Sequence, residues 1–459
     1  MKVLKFGGTS MADEITWVSV LNIIKNSDTP VVVVSATSGT TNSLLQSAEY
    51  ARNGRLDEAY QISEELRKKH YRIVRNFLTN QGKSDDTELF DTCREWIDKH
   101  IGILNNFLLG INTLGELTPR SVDTISSVGE RLSSYLLSQC GVEAGLSTVF
   151  VNAKDILKTD SDHGHAKPDL NKLRENIDIL RNHINKGVIP IIGGFFGSDN
   201  TGNITTLGRG GSDYSASLFG MALDADMIEI WTDVSGMYTS DPRYIKNTRS
   251  IREIGFNEAA ELAYFGAKVL HPATIQPAIE KNIPVSIKNT FDPDHPGTLI
   301  RTNSQARDIV RAIAFKKDIT VITISSSRML MAYGFLARVF DIFEEFKVPV
   351  DLVSTSEVSI SMSIDDTTNL DKVVDVLRKI GNVNIRDRQA LISVIGINFL
   401  ESSGLASRSF GVLEDIPIHL ISQGSSDINL SLVVDNENAI PAVQALHDEF
   451  FQPVENPVN

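Results

Sequence analysis

Cysteine is almost missing from this chain of 459 residues, which contains only Cys93 and Cys140 and no CxxC pair. Neither a disulfide framework nor a zinc site is therefore indicated. Positive charge is also scarce, because 44 Lys and Arg stand against 58 Asp and Glu and give a formal net charge of -14. This balance disfavours nucleic acid as a partner, since a phosphate backbone is bound by clustered Lys and Arg.

Long apolar runs are lacking as well. None is long enough to span a bilayer, and residues 1–11 carry glycine, lysine and polar side chains where a signal peptide has an apolar core. The Walker A motif, the HRD and DFG kinase signatures and the GxSxG motif are absent. We expect a cytoplasmic protein without a membrane partner, divided into about two or three domains.

The first three hundred residues alternate between strand-like and helix-like sequence. Apolar runs at residues 3–6 and 31–34 each end in a loop of small residues that is followed by a helical pattern, and further strand-like runs lie at residues 147–151, 188–192 and 227–231. This order predicts an α/β fold with a mainly parallel central sheet. Ligands are expected at the carboxyl ends of its strands.

The pattern changes after about residue 300 and then repeats. An amphipathic helix is predicted at residues 335–346, strands at 319–324 and 358–364, and a second helix at 370–380. The segment VPVDLVS, which begins at Val348, is echoed 68 residues later by IPIHLIS, which begins at Ile416. We interpret the repeat as two copies of a βαββαβ unit that form a paired regulatory module.

The most informative segment is TTLGRGGSDY at residues 205–214. Three glycines running into a helix N-terminus predict an anion site, because backbone N–H groups point at the ligand and the helix dipole favours negative charge. Arg209 adds a planar fork of donors that suits a carboxylate or a phosphate. The segment alone leaves the anion open, and a glycine turn with an exposed ion pair is the alternative.

Five other segments contain residues that could bind a ligand or take part in catalysis. Each also has an ordinary structural explanation, such as a tight turn or a helix cap. Lys5 in KFGGTS can contact a phosphoryl group, Glu130 in SVGE can pair with an ammonium group, and the loop after residue 231 can hold a nucleotide through Tyr238 and Arg243. His271 is a candidate general base, although a packed histidine is favoured. The five segments are KFGGTS at 5–10, SATSGTTN at 35–42, SVGE at 127–130, WTDVSGMYTSDPR at 231–243 and FGAKVLHP at 265–272.

Taken in order, KFGGTS, the GE pair, TLGRGGSDY, WTDVSGMYTSDPR and FGAKVLHP resemble the aspartate kinases, which are members of the amino acid kinase family. The repeat resembles their tandem ACT modules, and VDLVSTSEVS resembles the monofunctional, lysine-sensitive class. The resemblance implies an αβα sandwich with an eight-stranded sheet at residues 1–298, and ACT domains at 299–388 and 389–459. It also implies phosphorylation of aspartate by ATP with Mg²⁺ as cofactor.

The resemblance further implies individual roles. Lys5 would stabilise the transferring phosphoryl group, and Asp213 would orient the Lys5 side chain and the loop. No protein metal ligand is assigned. Aspartate would be held by Thr41, Glu130, Arg209, Gly210, Gly211 and Ser212, and ATP by Lys5, Gly7, Gly8, Thr232, Asp233, Tyr238, Arg243 and Lys268.

The presumed effector pocket would use Met329, Ala332, Gly334, Phe335, Leu336, Asp351 and Ser356. The resemblance makes lysine the expected effector, with threonine second. Ala332 departs from this pattern, because the lysine-sensitive class often has serine there, and the departure removes one hydroxyl from the effector pocket. ACT units pair at interfaces, which predicts a homodimer or homotetramer. Two other readings stay open: a non-catalytic amino-acid sensor that keeps the fold, and a kinase for another amino acid.

Overall fold

The computed structural model describes residues 1–83, 87–265, 270, 272–302, 304, 308–329, 333–424 and 426–451. Internal contacts divide the chain into two units. The first comprises Met1–Met237, Arg252–Phe256 and Val269–Ser304, and the second comprises Tyr238–Ile251, Asn257–Lys268 and Gln305–Asn459.

An eight-stranded sheet forms the centre of the first unit, in the order β3-β4-β2-β1-β7-β9-β10-β8. The strands from β3 to β9 in this order are parallel, whereas β10 is antiparallel to β9. A separate hairpin pairs β5 with β6. The strands are β1 (Lys2–Phe6), β2 (Pro30–Val34), β3 (Thr148–Val151), β4 (Ile189–Gly193), β5 (Phe196–Ser198), β6 (Ile204–Thr206), β7 (Met227–Thr232), β8 (Glu253–Ile254), β9 (Val285–Asn289) and β10 (Thr298–Ile300).

Helices accompany this sheet, and the burial of its central strands explains the apolar runs of the sequence. All five residues of β2 are buried, as expected for a parallel strand covered on both faces. The helices of the first unit are α1 (Glu14–Lys25), α2 (Thr40–Arg52), α3 (Leu56–Asn80), α4 (Glu88–Leu114), α5 (Pro119–Ser126), α6 (Val128–Glu143), α7 (Ala153–Ile156), α8 (Leu170–Asn176), α9 (Asp178–Ile184), α10 (Gly211–Leu223) and α12 (Gln276–Glu280). The intervening helix α11 (Phe256–Phe265) belongs, apart from Phe256, to the second unit.

The second unit contains a six-stranded antiparallel sheet in the order β12-β13-β11-β14-β16-β15. Its strands are β11 (Val310–Ser325), β12 (Leu352–Thr355), β13 (Ser359–Ile364), β14 (Asn382–Gly396), β15 (Ile418–Gln423) and β16 (Asn429–Asp435). Its helices after residue 310 are α13 (Phe335–Glu345), α14 (Leu370–Leu377), α15 (Leu405–Gly411) and α16 (Ala439–Phe451).

Two cores lie on this one sheet. The first contains residues of the C-terminal part of β11, β13, α13 and α14. The second contains residues of the N-terminal part of β11, β14, β16, α15 and α16. β11 and β14 pair with each other along both halves, whereas β13 pairs with β11 only from Thr320 onward and β16 pairs with β14 only from Gln389 onward. Both changes lie close to Asp318 and Arg388, which adopt positive φ values of 60° and 55°. The predicted boundary between residues 388 and 389 therefore falls inside β14, and both halves share β11 and β14.

The predicted fold class is confirmed: a mainly parallel α/β sheet is followed by an antiparallel ACT-type region. The echoed segments VPVDLVS and IPIHLIS lead into β12 and β15, which occupy opposite edges of the six-stranded sheet. Among the described residues, no helix combines the length and apolarity needed to cross a membrane.

Candidate active site

The site forms where the carboxyl ends of neighbouring parallel strands meet. Phe6, the last residue of β1, is paired with Val34 of β2 on one side and Trp231 of β7 on the other. Val34 is in turn paired with Gly193, the last residue of β4. Because these strands end in register, the loops that follow them all begin at one edge of the sheet.

Lys5 and Asp213 form a nearly buried ion pair at this edge. The Lys5 ammonium nitrogen lies 2.6 Å from Asp213 Oδ1, and the two side chains are 11% and 12% exposed. Asp213 occupies the first turn of α10, where a carboxylate interacts favourably with the helix dipole. The structure thus brings together two residues that are 208 positions apart in the sequence.

The glycine-rich segment forms the turn into α10, as the sequence predicted. Gly208 and Gly210 have φ values of 79° and 71°, a conformation that other residues rarely adopt. Gly211 and Ser212 are buried in the first turn of α10. Arg209 is exposed and makes no ion pair with any described residue, so its guanidinium is free to contact a ligand.

Glu130 lies in the first turn of α6 and is only 4% exposed. The Ala36 N–H donates to its Oε1 at 3.1 Å, whereas its buried Oε2 has no hydrogen-bond partner among the described residues. Burial raises the pKa of Glu130 to about 7, and the Ala36 N–H and nearby Lys5 oppose this shift. A buried carboxylate oxygen without a partner is suited to a cationic ligand group.

The loop after β1 approaches its neighbours closely, which explains its glycines. The Gly7 N–H donates to the Trp231 carbonyl at 3.0 Å. A Cβ at Gly7 would lie 3.6 Å from the Lys5 ammonium nitrogen, and one at Gly8 would lie 3.4 Å from the Ala36 carbonyl oxygen. A larger side chain at Gly7 would fill the space in front of Lys5, and one at Gly8 would press against the loop that follows β2.

Thr41 is half-buried in the first turn of α2, and a hydrogen-bonded network supports the loop before it. Thr40 Oγ1 lies 2.6 Å from Thr37 Oγ1 and accepts a hydrogen bond from the Lys69 ammonium at 3.1 Å. His70 Nε2 lies 3.3 Å from Thr37 Oγ1, and burial lowers the pKa of His70 to about 4. Sequence reasoning missed this support, because Lys69 and His70 sit in an ordinary charged helix.

Asp123 is a second residue that sequence reasoning missed. It is fully buried, and its Oδ1 accepts a hydrogen bond from Thr206 Oγ1 at 2.5 Å. Its Oδ2 lies 2.7 Å from His163 Nδ1 and accepts from the Gly164 N–H at 3.2 Å. A Cβ at Gly208 would lie 3.0 Å from the Gly164 carbonyl oxygen, so Asp123 anchors a loop that contacts the glycine-rich segment.

The residues predicted to bind the nucleotide fall in different parts of the structure. Thr232 ends β7 and donates its hydroxyl hydrogen to the exposed Asp233 at 3.1 Å. Tyr238 and Arg243 belong to the second unit, where the exposed Arg243 pairs with Asp241 at 2.6 Å. Lys268 lies outside the described residues, as does the alternative base, His271.

The predicted effector residues lie in the second unit, apart from Ala332, which is outside the described residues. Met329 ends a 3-10 helix, Gly334 has a φ of 80° before α13, and Phe335 is buried whereas Leu336 is 45% exposed. The exposed Ser356 hydroxyl lies 2.7 Å from that of Ser359.

Asp351 is the charged centre of the effector region, with its side chain 1% exposed. The Tyr264 hydroxyl of α11 donates to Asp351 Oδ1, and the Lys316 ammonium lies 3.7 Å from Oδ2 while pairing with Asp365. Burial raises the pKa of Asp351, and Tyr264 and Lys316 oppose the shift. The involvement of Tyr264 and Lys316 was not predicted, because neither belongs to a recognised segment.

Comparisons with known proteins agree with this geometry. The amino acid kinase family matches residues 1–289, and an ACT domain matches residues 392–450. The chain is 35% identical to lysine-sensitive aspartokinase 3 of Escherichia coli, over 98% of this chain and 99% of the relative. It is 37% identical to chloroplastic aspartokinase 1 of Arabidopsis thaliana, over 98% of this chain and 80% of the relative.

Solved structures give the same result. The crystal structure of Escherichia coli aspartokinase III with aspartate and ADP superposes with a TM-score of 0.84 at 34% identity, covering 98% of this chain and all of that one. The same enzyme with lysine and aspartate gives a TM-score of 0.83 over the same shares. The chain therefore belongs to the aspartokinase family, and it is a nucleotide-dependent aspartate kinase with an ACT regulatory region.

Proposed function

We propose that the chain transfers the γ-phosphoryl group of ATP to the side-chain carboxylate of L-aspartate at the edge formed by β1, β2, β4 and β7. The products are 4-phospho-L-aspartate and ADP. The observation that carries this proposal is the buried Glu130 Oε2, which has no hydrogen-bond partner among the residues that the structure describes and lies at the same strand ends as the Lys5–Asp213 pair. The site thus offers an anionic pocket for an amino group beside a cation for a phosphoryl group.

Aspartate binds with its ammonium group at Glu130 and a carboxylate at Arg209. Within the described part of the chain, Glu130 has an oxygen without a hydrogen-bond partner and the exposed Arg209 makes no ion pair, so both groups are available. Thr41 and Ser212, together with the backbone N–H groups of the first turn of α10, supply further donors. Charge-assisted hydrogen bonds of this kind are stronger than neutral ones and fix the substrate's orientation.

Lys5 stabilises the phosphoryl group during transfer, and Asp213 positions the Lys5 ammonium. The attacking carboxylate has a pKa of roughly 4 and is already ionised at neutral pH, so no general base is needed. Catalysis then depends on in-line placement and on cancelling the repulsion between two anions. Gly7 keeps the space in front of Lys5 open for the phosphates, and Gly8 lets the backbone approach the loop after β2.

ATP is held by Thr232 and Asp233 together with Tyr238, Arg243 and Lys268, as the family resemblance implies. Thr232 ends β7, the strand that pairs with β1 beside Lys5, and Asp233 directly follows it. Mg²⁺ enters as MgATP and is therefore part of the substrate, because this small cation prefers phosphate and water oxygens to an all-protein cage. It neutralises charge on the phosphate oxygens when bound.

An assay of ADP release with aspartate, glutamate and N-acetylglutamate as acceptors tests this function. We expect ADP release with aspartate and none with glutamate or N-acetylglutamate. Turnover with glutamate but not aspartate would instead indicate a kinase for another amino acid. Absence of turnover with every acceptor, with aspartate binding retained, would favour the non-catalytic sensor.

We also propose that lysine inhibits the enzyme through the ACT region, with threonine as the alternative effector. The support is the similarity to a lysine-sensitive aspartokinase and the buried carboxylate of Asp351, which suits the ammonium group of an amino acid. The proposed pocket consists of Met329, Ala332, Gly334, Phe335, Leu336, Asp351 and Ser356. Lysine must bind a low-activity state more tightly than the active one, since only a difference in affinity shifts an equilibrium.

Titration of the initial rate with lysine and threonine, beside calorimetry, tests the effector. Inhibition by lysine with matching binding supports the assignment, and no lysine binding up to millimolar concentrations refutes it. Light scattering tests the proposed homodimer or homotetramer, and fractionation tests the expected cytoplasmic location. For the domains we propose a catalytic part at residues 1–298 and regulatory parts at 299–388 and 389–459.

A further inference from the structure

Residues 238–251, which contain the proposed nucleotide ligands Tyr238 and Arg243, are built into the regulatory sheet. We name these residues the nucleotide segment; they belong to the second unit with β11, β14 and α16. Ile245 is 2% exposed and packs in the same core as these elements. A segment that the family resemblance assigns to ATP is thus held by the part of the chain that resembles a regulatory module.

Thr239 and its neighbour Ser240 connect the nucleotide segment to β11 through hydrogen bonds. The Ile313 N–H of β11 donates to the Thr239 carbonyl at 2.7 Å, and the neighbouring Ser240 hydroxyl donates to the Ile313 carbonyl at 2.8 Å. The Thr239 hydroxyl is buried and accepts the Arg249 N–H at 3.0 Å, which closes the segment on itself. Thr239 directly follows Tyr238, so its placement determines where that ring can lie.

His447 of α16 completes the attachment. Its Nε2 lies 2.9 Å from the Thr239 hydroxyl oxygen, and the imidazole is 1% exposed. Since this hydroxyl already accepts from Arg249, its own hydrogen is available for donation to a neutral imidazole, and burial lowers the pKa of His447 in agreement. Three residues earlier on α16, Gln444 Oε1 accepts the Lys246 N–H at 2.9 Å.

We propose that His447 is a positioning residue for the nucleotide: through the Thr239 hydroxyl it holds the nucleotide segment in the conformation that binds ATP. This inference rests on the proposed roles of Tyr238 and Arg243. It also links the regulatory region to nucleotide affinity, because two hydrogen bonds join α16 to the nucleotide segment.

The test uses the full chain and separates the two substrates. The net contribution of one buried hydrogen bond corresponds to about a ten-fold change in an equilibrium constant. His447→Ala is expected to raise the KM for ATP and the Kd for MgADP by that factor, with the KM for aspartate changed by less than about two-fold. His447→Gln, whose amide oxygen can accept the Thr239 hydroxyl hydrogen in the place of Nε2, is expected to restore nucleotide affinity.

A matched control removes a different buried hydrogen bond from the same region. The Ser431 hydroxyl of β16 donates to Ser393 at 3.1 Å, and Ser431→Ala is expected to leave both KM values unchanged. Thr239→Ser, which keeps the hydroxyl, and Thr239→Val, which removes it, should separate in nucleotide affinity in the same way. These variants keep the test decisive if His447→Ala does not fold.

Two results would overturn the inference. In the first, His447→Ala lowers the melting temperature but leaves ATP and MgADP affinities unchanged, which makes the bond merely structural. In the second, His447→Gln behaves as His447→Ala does. If the unmodified chain binds MgADP but does not phosphorylate aspartate, the proposed function fails while the MgADP affinities still decide the role of His447.

Discussion

Replacing Glu130 with glutamine tests the central feature of the proposed aspartate site. The variant keeps the size of the side chain and an acceptor for the Ala36 N–H, but it removes the charge that burial disfavours. The pKa of Glu130 is raised from 4.5 to about 7, and this difference corresponds to roughly 3 kcal/mol between its two protonation states in the folded protein.

The sign of the effect follows from proton linkage. Between pH 4.5 and about 7 the folded chain holds a proton on Glu130 that the unfolded chain has released. Stability contributed by this group is therefore present at low pH and lost as the pH rises through that window. Glu130→Gln should gain up to roughly 3 kcal/mol relative to the unmodified chain between pH 4.5 and 8, measured by urea unfolding without substrate.

Aspartate binding should reverse the shift, because its ammonium group favours the ionised carboxylate. With the pKa of Glu130 at about 7, about half a proton should be released on binding at pH 7. Calorimetry in buffers of different ionisation enthalpy measures this release, which Glu130→Gln should abolish. The same variant should raise the KM for aspartate by at least about 30-fold.

Glu49→Gln provides the control, since Glu49 is an exposed carboxylate of α2, with its side chain 47% exposed. Its stability profile and proton release should match those of the unmodified chain. The reasoning would be refuted if Glu130→Gln and the unmodified chain had parallel stability profiles, or if proton release persisted in the variant. Either result would mean that Glu130 is not the buried partner of the substrate's amino group.

Three further changes test other parts of the molecule. Lys5→Met should lower kcat by about 10³-fold or more, and adding Asp213→Asn should restore stability but not kcat; a fall below ten-fold contradicts the role of Lys5. Tyr264→Phe removes the hydrogen bond to the buried Asp351 carboxylate, which is then free to bind the ammonium group of lysine. The lysine concentration for half-inhibition should therefore fall by about five-fold, and an increase would contradict the proposed pocket. Gly194→Ala places a Cβ 2.8 Å from the backbone of α10 and should cost about 1–3 kcal/mol in urea unfolding, whereas Gly102→Ala, with nothing within 4 Å of its new Cβ, should be neutral or stabilising.

The strands and loops of the first unit were predictable because their signals are local. The apolar, β-branched run PVVVV forms a strand that is buried along its whole length, and Gly208 and Gly210 supply the positive φ values of the turn before α10. The supports of the site were not predictable. Asp123 meets Thr206 across 83 residues and Thr239 meets His447 across 208, and no local pattern records such pairings. The predicted boundary at residue 388 lies inside β14, where Arg388 has a positive φ, and the sharing of β14 between the two halves follows from its pairing with β11, which no local pattern records.

Because β11 and β14 each run through both halves of the six-stranded sheet, residues 319–386 can be regarded as an insertion into the rest of this sheet. Residues 319–386 form the half of the sheet that contains β12 and β13. They connect to the other half through two adjacent strands, at Asp318 and Arg388. Insertions are tolerated best where the two ends lie side by side. Exchange of effector specificity between relatives could therefore proceed by replacing one continuous stretch of gene, with residues 310–316 and 389–451 left in place. Truncation after residue 388 would instead remove the partners of the first part of β11.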